Sequence, residues 1–176
     1  LTFLSPTAII FLDILYFPYI FLVFRETFLK ARKENISFMK KPNCFITLGN
    51  EEMNYCFLPS GDIYTFHGGK ILLNQFRGNL KDGSVNNIWL RLFQDEKTLI
   101  YPLLGIRSSS NLSVTDHALR FTGQIEDISY TVTFTFSGHA WFWDVTLRGN
   151  AQAYDLIYGQ DIGLAFESAI YTNELY

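Results

Sequence analysis

Two pairs of neighbouring acids, Glu126-Asp127 and Asp95-Glu96, are the first candidates for bond-breaking chemistry in this sequence. Glycosyl transfer by acid and base typically needs two carboxylates flanking the bond, about 5–5.5 Å apart for retention or about 6.5–9.5 Å for inversion. Glu126-Asp127 falls at a strand-to-strand junction and Asp95-Glu96 in a turn, where solvated carboxylates are ordinary. Other catalytic signatures are missing: no nucleophile elbow, no glycine-rich dinucleotide fingerprint and no His-Glu-x-x-His helix. Gly68-Gly69-Lys70 has the composition of a phosphate cradle, but the P-loop spacing and the following helix are absent, so it reads as a turn. No catalytic residue is assigned.

A metal centre is equally unsupported. His67, His117 and His139 are scattered, and Cys44 and Cys56 have no histidine at zinc-site spacing. Two small buried thiols in neighbouring strands is the simplest reading of the cysteines, and it points to a reducing compartment. The net charge of −3 comes from mixed signs without long blocks, which argues against a nucleic-acid partner. An apolar fraction of 48% with 17% aromatics excludes disorder and favours pleated surfaces. At 176 residues there is room for one domain and an appendage.

The appendage is residues 1–42. Residues 1–24 are almost continuously apolar, about the length needed to cross a hydrocarbon core. Asp13 at the centre and Pro6 and Pro18 oppose a membrane helix, and neither basic residues before the run nor a small-residue cleavage site after it support a secretory signal. Arg25, Lys30, Arg32 and Lys33 follow, so a genuine span would leave the remaining chain in the cytoplasm. Met39-Lys40-Lys41 has the look of a start just ahead of the first strand. Three readings stand: an upstream extension unrelated to the fold, a membrane anchor, and a packed helix.

After Pro42 the pattern changes to short β-rich runs with turn residues every eight to twelve positions, the spacing of an antiparallel β-sandwich. Strands are expected over 44–48, 54–58, 63–67, 70–74, 88–93 and 98–103, with Pro59-Ser60-Gly61-Asp62 as a turn and 75–87 as a loop. Further on, Leu119, Phe121, Gly123 and Ile125 share one face, and Tyr130, Val132, Phe134 and Phe136 share another. In residues 140–148, Trp141, Trp143, Val145 and Leu147 line up together. Two tryptophans invite a sugar-stacking role, but their continuation into Val145 and Leu147 makes them core, leaving Phe142 beside Asp144 as the exposed pair. A last run over 154–158 precedes Gly159-Gln160-Asp161-Ile162-Gly163, where periodicity fails.

That carboxyl end, Asp155-Leu156-Ile157-Tyr158-Gly159-Gln160-Asp161-Ile162-Gly163-Leu164-Ala165 followed by Thr172-Asn173-Glu174-Leu175-Tyr176, resembles the close of the sandwich domain in glycoside hydrolase family 94. Phe57-Leu58-Pro59-Ser60-Gly61-Asp62, Asn86-Asn87 and Trp141-Phe142-Trp143-Asp144-Val145 are similar to the same region, most closely in 1,2-β-oligoglucan phosphorylases and the related cyclic β-1,2-glucan synthases. Leu175 departs, since a smaller residue is expected there.

The resemblance implies an all-β supersandwich over 43–163, leading through a helical linker that starts in 164–176 into an (α/α)6 barrel beyond this chain. The barrel would carry the general acid, with inorganic phosphate in the nucleophile's place and no cofactor. The full protein would phosphorolyse β-1,2-linked glucans reversibly to α-glucose 1-phosphate. This chain would then be a non-catalytic domain whose partners are the barrel and a β-glucan oligosaccharide, with Gln160 and Asp161 near the sugar cleft. Asp161 could equally cap a helix starting near Leu164. The alternative is a stand-alone carbohydrate-binding or scaffold module that uses the face of Phe142.

Overall fold

The computed structural model describes residues 7–12, 45–94, 96–150 and 153–169. One five-stranded sheet runs in the order β1 (Thr7–Leu12), β11 (Ala140–Arg148), β10 (Ile128–Ser137), β9 (Leu119–Ile125) and β8 (Asn111–Val114). A second has the order β13 (Ala165–Phe166), β5 (Ile71–Leu72), β4 (Ile63–Gly68), β3 (Met53–Phe57) and β2 (Ile46–Gly49). A three-stranded sheet places β6 (Asn87–Gln94) between β12 (Tyr154–Gly159) and β7 (Lys97–Pro102). Among the described residues all strand pairs are antiparallel, the pairing that commonly leaves one face of a sheet wet and gives the alternation of apolar and polar residues. The chain is an all-β sandwich.

The two large sheets meet through aromatic rings. Phe134 on β10 lies 5.2 Å from Tyr55 and 5.0 Å from Phe57, both on β3, and 5.0 Å from Trp143 on β11. Phe66 on β4 lies 5.5 Å from Trp141. These mostly edge-on pairs add directional attraction to apolar burial. Trp141 and Trp143 are buried, as their continuation into Val145 and Leu147 predicts. Ile88, Leu90 and Leu92 turn the inner face of β6 into the same core. Cys56 is buried with its sulfur 4.0 Å from the Thr47 hydroxyl, while Cys44 lies outside the described residues.

Several expectations change. Residues 7–12 form an extended strand rather than a helix and pair with β11 over six positions, from Thr7 opposite Thr146 to Leu12 opposite Trp141. The physical reason is local: Thr-Ala-Ile-Ile-Phe-Leu is rich in strand formers, and the edge of β11 offers unpaired backbone groups. The rest of the apolar run and Met39 lie outside the described residues. Among those described, no helix is long and apolar enough to cross a membrane.

The strand expected over 70–74 shrinks to Ile71–Leu72 because Asn74 turns inward and pairs through its side chain. Its Oδ1 accepts the Phe66 N–H at 2.7 Å, and its Nδ2 donates to Tyr64 and Phe76 carbonyls at 3.1 and 2.8 Å. The helix expected near Leu164 starts at Glu167, three residues after Leu164. That residue has a φ of 48°, in the left-handed region, and Ala165–Phe166 then pair with β5 before a helical turn at 167–169. Phe142 and Asp144 are half-buried on β11 rather than exposed.

Candidate functional site

The buried polar residues Asp62, Asn74, Asn86 and Asn87 gather where the loops after β3, β5, β7 and β12 meet. Asp62 is 3% exposed, and its carboxylate accepts the Ser84 N–H at 3.0 Å, the Ile106 N–H at 2.8 Å and the Ser60 hydroxyl at 2.6 Å. Three loops are thereby tied to one charge, which hydrogen bonding to backbone amides makes tolerable in a buried setting. The fit admits no extra atom: a Cβ on Gly105, at φ +74°, would stand 2.1 Å from Asp62 Oδ1, and one on Gly83 2.5 Å. Both glycines are therefore steric requirements of the acid between them.

Asn86 and Asn87 extend the network in opposite directions. Asn87 Nδ2 donates to the Leu104 carbonyl at 3.0 Å, and its Oδ1 accepts the Leu104 N–H at 3.2 Å. Asn86 Oδ1 accepts the N–H of Asp161, joining the loop before β6 to the segment after β12. Asp161 in turn holds the loop after β5, since its Oδ2 accepts the Phe76 N–H at 2.6 Å. This bond replaces the helix cap expected of Asp161, because no helix starts where a cap would be needed. Gly163 N–H then donates to the Leu73 carbonyl at 2.8 Å and leads into β13.

Gln160 is held at both ends of its amide. Its Oε1 accepts the Tyr158 hydroxyl at 2.8 Å, and its Nε2 donates to the Asp161 carbonyl at 3.0 Å. The Tyr158 oxygen lies 3.5 Å from Trp141 Nε1, so the relay runs from the core of the sandwich to the surface loop. Burial pushes the Tyr158 phenol above its ordinary range, against the pull of the Trp141 and Trp143 indoles. The structure thus brings Gln160 and Asp161 together with Asn86 and Phe76. Asn74, Asn86 and Asp62 carry more of the architecture than their sequence context signals, and no local pattern around them marks that role.

Of the carboxylates considered for catalysis, Glu126 is engaged in contacts between strands. Glu126, at φ 51°, accepts Gln94 Nε2 at 2.6 Å and the Tyr101 hydroxyl at 3.1 Å, linking two sheets. Asp127 and Glu96 are exposed, and Asp95 lies outside the described residues. Among the described residues, no group of three or more His, Cys, Asp or Glu is placed to hold a metal ion.

The same loops carry apolar side chains into solvent. Residues 161–166 alternate in reverse, with Asp161, Gly163 and Ala165 turned in and Ile162, Leu164 and Phe166 out at 54%, 48% and 60% exposure. Phe76, whose N–H is held by Asp161, is also exposed. Leu80, Val85 and Ile106 are exposed on the loops that Asp62 ties together. These side chains are thus mounted outward on a frame held by polar contacts.

Residues 56–176 match the family model described as the SOGP N-terminal domain. The chain is also 32% identical, over 125 residues, to the 1,2-beta-oligoglucan phosphorylase of Listeria innocua serovar 6a (strain ATCC BAA-680 / CLIP 11262). That alignment takes in 71% of this chain and 11% of the relative, so the chain spans a small part of the relative's length. On the strength of the matched residues, this chain belongs to the SOGP N-terminal domain family.

Proposed function

We propose that this chain is the non-catalytic amino-terminal sandwich of a phosphorylase that acts on β-1,2-linked glucans in the cytoplasm. In the full-length enzyme, inorganic phosphate would cleave the glucan reversibly to α-glucose 1-phosphate, with no other cofactor. A helical (α/α)6 barrel would supply the general acid. The observation that carries this reading is the outward apolar row of Ile162, Leu164 and Phe166 beside Phe76, a surface suited to burial against the barrel. Similarity to a 1,2-beta-oligoglucan phosphorylase supports the substrate class in this reading.

In this reading Gln160 and Asp161 border the sugar cleft. Their backbone and side chains are fixed by Tyr158, Asn86 and Phe76, so the segment is stiff enough to shape a wall. The alternative of a stand-alone module using Phe142 has less support, because that ring is half-buried on a strand paired on both sides.

The test uses the full-length enzyme. Leu164→Asp combined with Phe166→Asp lowers phosphate-dependent release of α-glucose 1-phosphate from a β-1,2-glucan, while the chain studied alone releases none. Full activity in the double variant, or phosphorolysis by the chain alone, refutes the reading.

A further inference from the structure

The outer face of the three-stranded sheet has a role in none of the contacts above. Along β6, Ile88, Leu90 and Leu92 point into the core, so Trp89, Arg91 and Phe93 form the opposite row. The register sets Trp89 between Ile157 and Pro102, Arg91 between Asp155 and Ile100, and Phe93 beside Thr98. Phe93, Ile100 and Ile157 are exposed, and Trp89 and Arg91 are half-buried.

The row is built rather than loosely arrayed. Arg91 Nε donates to Asp155 Oδ1 at 2.8 Å, and Nη2 donates to Oδ2, a bidentate fork. The guanidinium carbon also stands 5.0 Å from the centre of the Phe93 ring. The benzo ring of Trp89 lies against Gly159, where a Cβ would come within 2.7 Å of it. Any larger residue at 159 would lift the indole off the sheet.

These features select a chemical class. Arg91 and Asp155 cancel each other's charge, so the centre of the face offers little field to an anion or a cation. Two of five guanidinium N–H groups and two of about four carboxylate acceptor positions are used by the pair, which leaves both partners able to bond hydroxyls. Trp89 and Phe93, about 13 Å apart along the strand, offer rings to the apolar C–H faces of sugar units. The row also has a direction, since β12 passes beneath Trp89 at Gly159 and continues into Gln160.

We propose that Phe93, Arg91 and Trp89 form a track that holds a neutral β-glucan chain and leads it along β12 towards Gln160. The ligand class rests on the phosphorylase reading given above; the track itself rests on the geometry of this sheet.

Titration of the whole chain with a linear β-1,2-linked glucopentaose, followed by amide and indole N–H resonances, tests it. The expected result is saturable shifts at Trp89, Arg91 and Asp155. Trp89→Ala weakens binding about tenfold or more, equivalent to about 1.4 kcal/mol. Phe93→Ser and Arg91→Gln weaken it with native spectral dispersion retained, which guards against misfolding of the tryptophan variant. Absence of saturable shifts, shifts confined to other surfaces, or equal affinity in all three variants overturns the track. So does loss of glucopentaose binding at Trp89 in the full-length enzyme, which would make this face a protein interface. Phosphorolysis by the full-length enzyme is read separately. If it persists without binding at Trp89 only the track fails, and if it is absent while Trp89 binds glucan the phosphorylase reading fails instead.

Discussion

Asp161 and Phe76, 85 positions apart in sequence, are joined by one hydrogen bond from the Phe76 backbone N–H to the Asp161 carboxylate at 2.6 Å. The bond fixes the loop after β5 against the segment after β12. Asp161→Ala should lower the unfolding free energy of the chain by about 1.5 kcal/mol, the low end of what a hydrogen bond to a charged group contributes, because this bond is exposed. Asp161→Asn, which keeps an acceptor, should cost less. Urea denaturation with both variants checks this, and equal stability of wild type and Asp161→Ala would show the bond to be dispensable.

Asp62 and Gly105 should be coupled more strongly. Asp62→Ala leaves the Ser84 and Ile106 amides without their acceptor and is expected to cost about 3 kcal/mol. Gly105→Ala forces a methyl group into the carboxylate at a positive φ and is expected to cost a similar amount. Because the clash needs the acid, the double variant should lose less than the sum of the two, a coupling visible in a double-mutant cycle.

Alkaline pH should weaken the fold through its buried phenols. Burial raises the pKa of Tyr55, Tyr130 and Tyr158 above the ordinary tyrosine value. A group that holds its proton more tightly when folded contributes stability that is complete below the unfolded pKa, about 10, and is lost as pH rises through the folded value. Melting temperature should therefore hold to about pH 9 and fall above about pH 10. Tyr55→Phe should make that fall shallower, and an unchanged slope would mean that Tyr55 does not contribute.

Leu164 offers a way to separate stability from function. A leucine in the left-handed region costs roughly 1–2 kcal/mol, against about 0.5–1 kcal/mol of backbone entropy for glycine. Leu164→Gly should thus stabilise this chain by about 0.5 kcal/mol while removing an exposed apolar side chain from the proposed barrel-facing row. The expected pattern is a higher melting temperature for the chain and lower phosphorolysis in the full-length enzyme. A loss of stability would show that the residue is not strained.

Much of this architecture is readable from residue order. The alternation in 119–125, 128–137 and 140–148 predicts β9, β10 and β11 closely, because one wet face imposes a period of two. The irregular end was harder. Asn74 ends β5 by substituting a side chain for backbone pairing, and nothing in Leu73-Asn74-Gln75 distinguishes that from a strand's last residue. The role of Asp161 depends on Phe76, a partner that local pattern cannot name. The helix expected near Leu164 starts three residues later, at Glu167, because Gly163 and Leu164 first turn the chain so that Ala165 and Phe166 pair with Leu72 and Ile71. Tertiary pairing decided that segment over local preference.

The strand at Thr7–Leu12 has a practical bearing on how the protein can be handled. It covers six positions of β11, whose other side is already occupied by β10. A chain shortened to begin at Met39 would leave that border of the sheet with unsatisfied amides and carbonyls, a template for aggregation. Light scattering that grows with concentration in the shortened form, but not in the longer one, would identify residues 7–12 as a solubility guard.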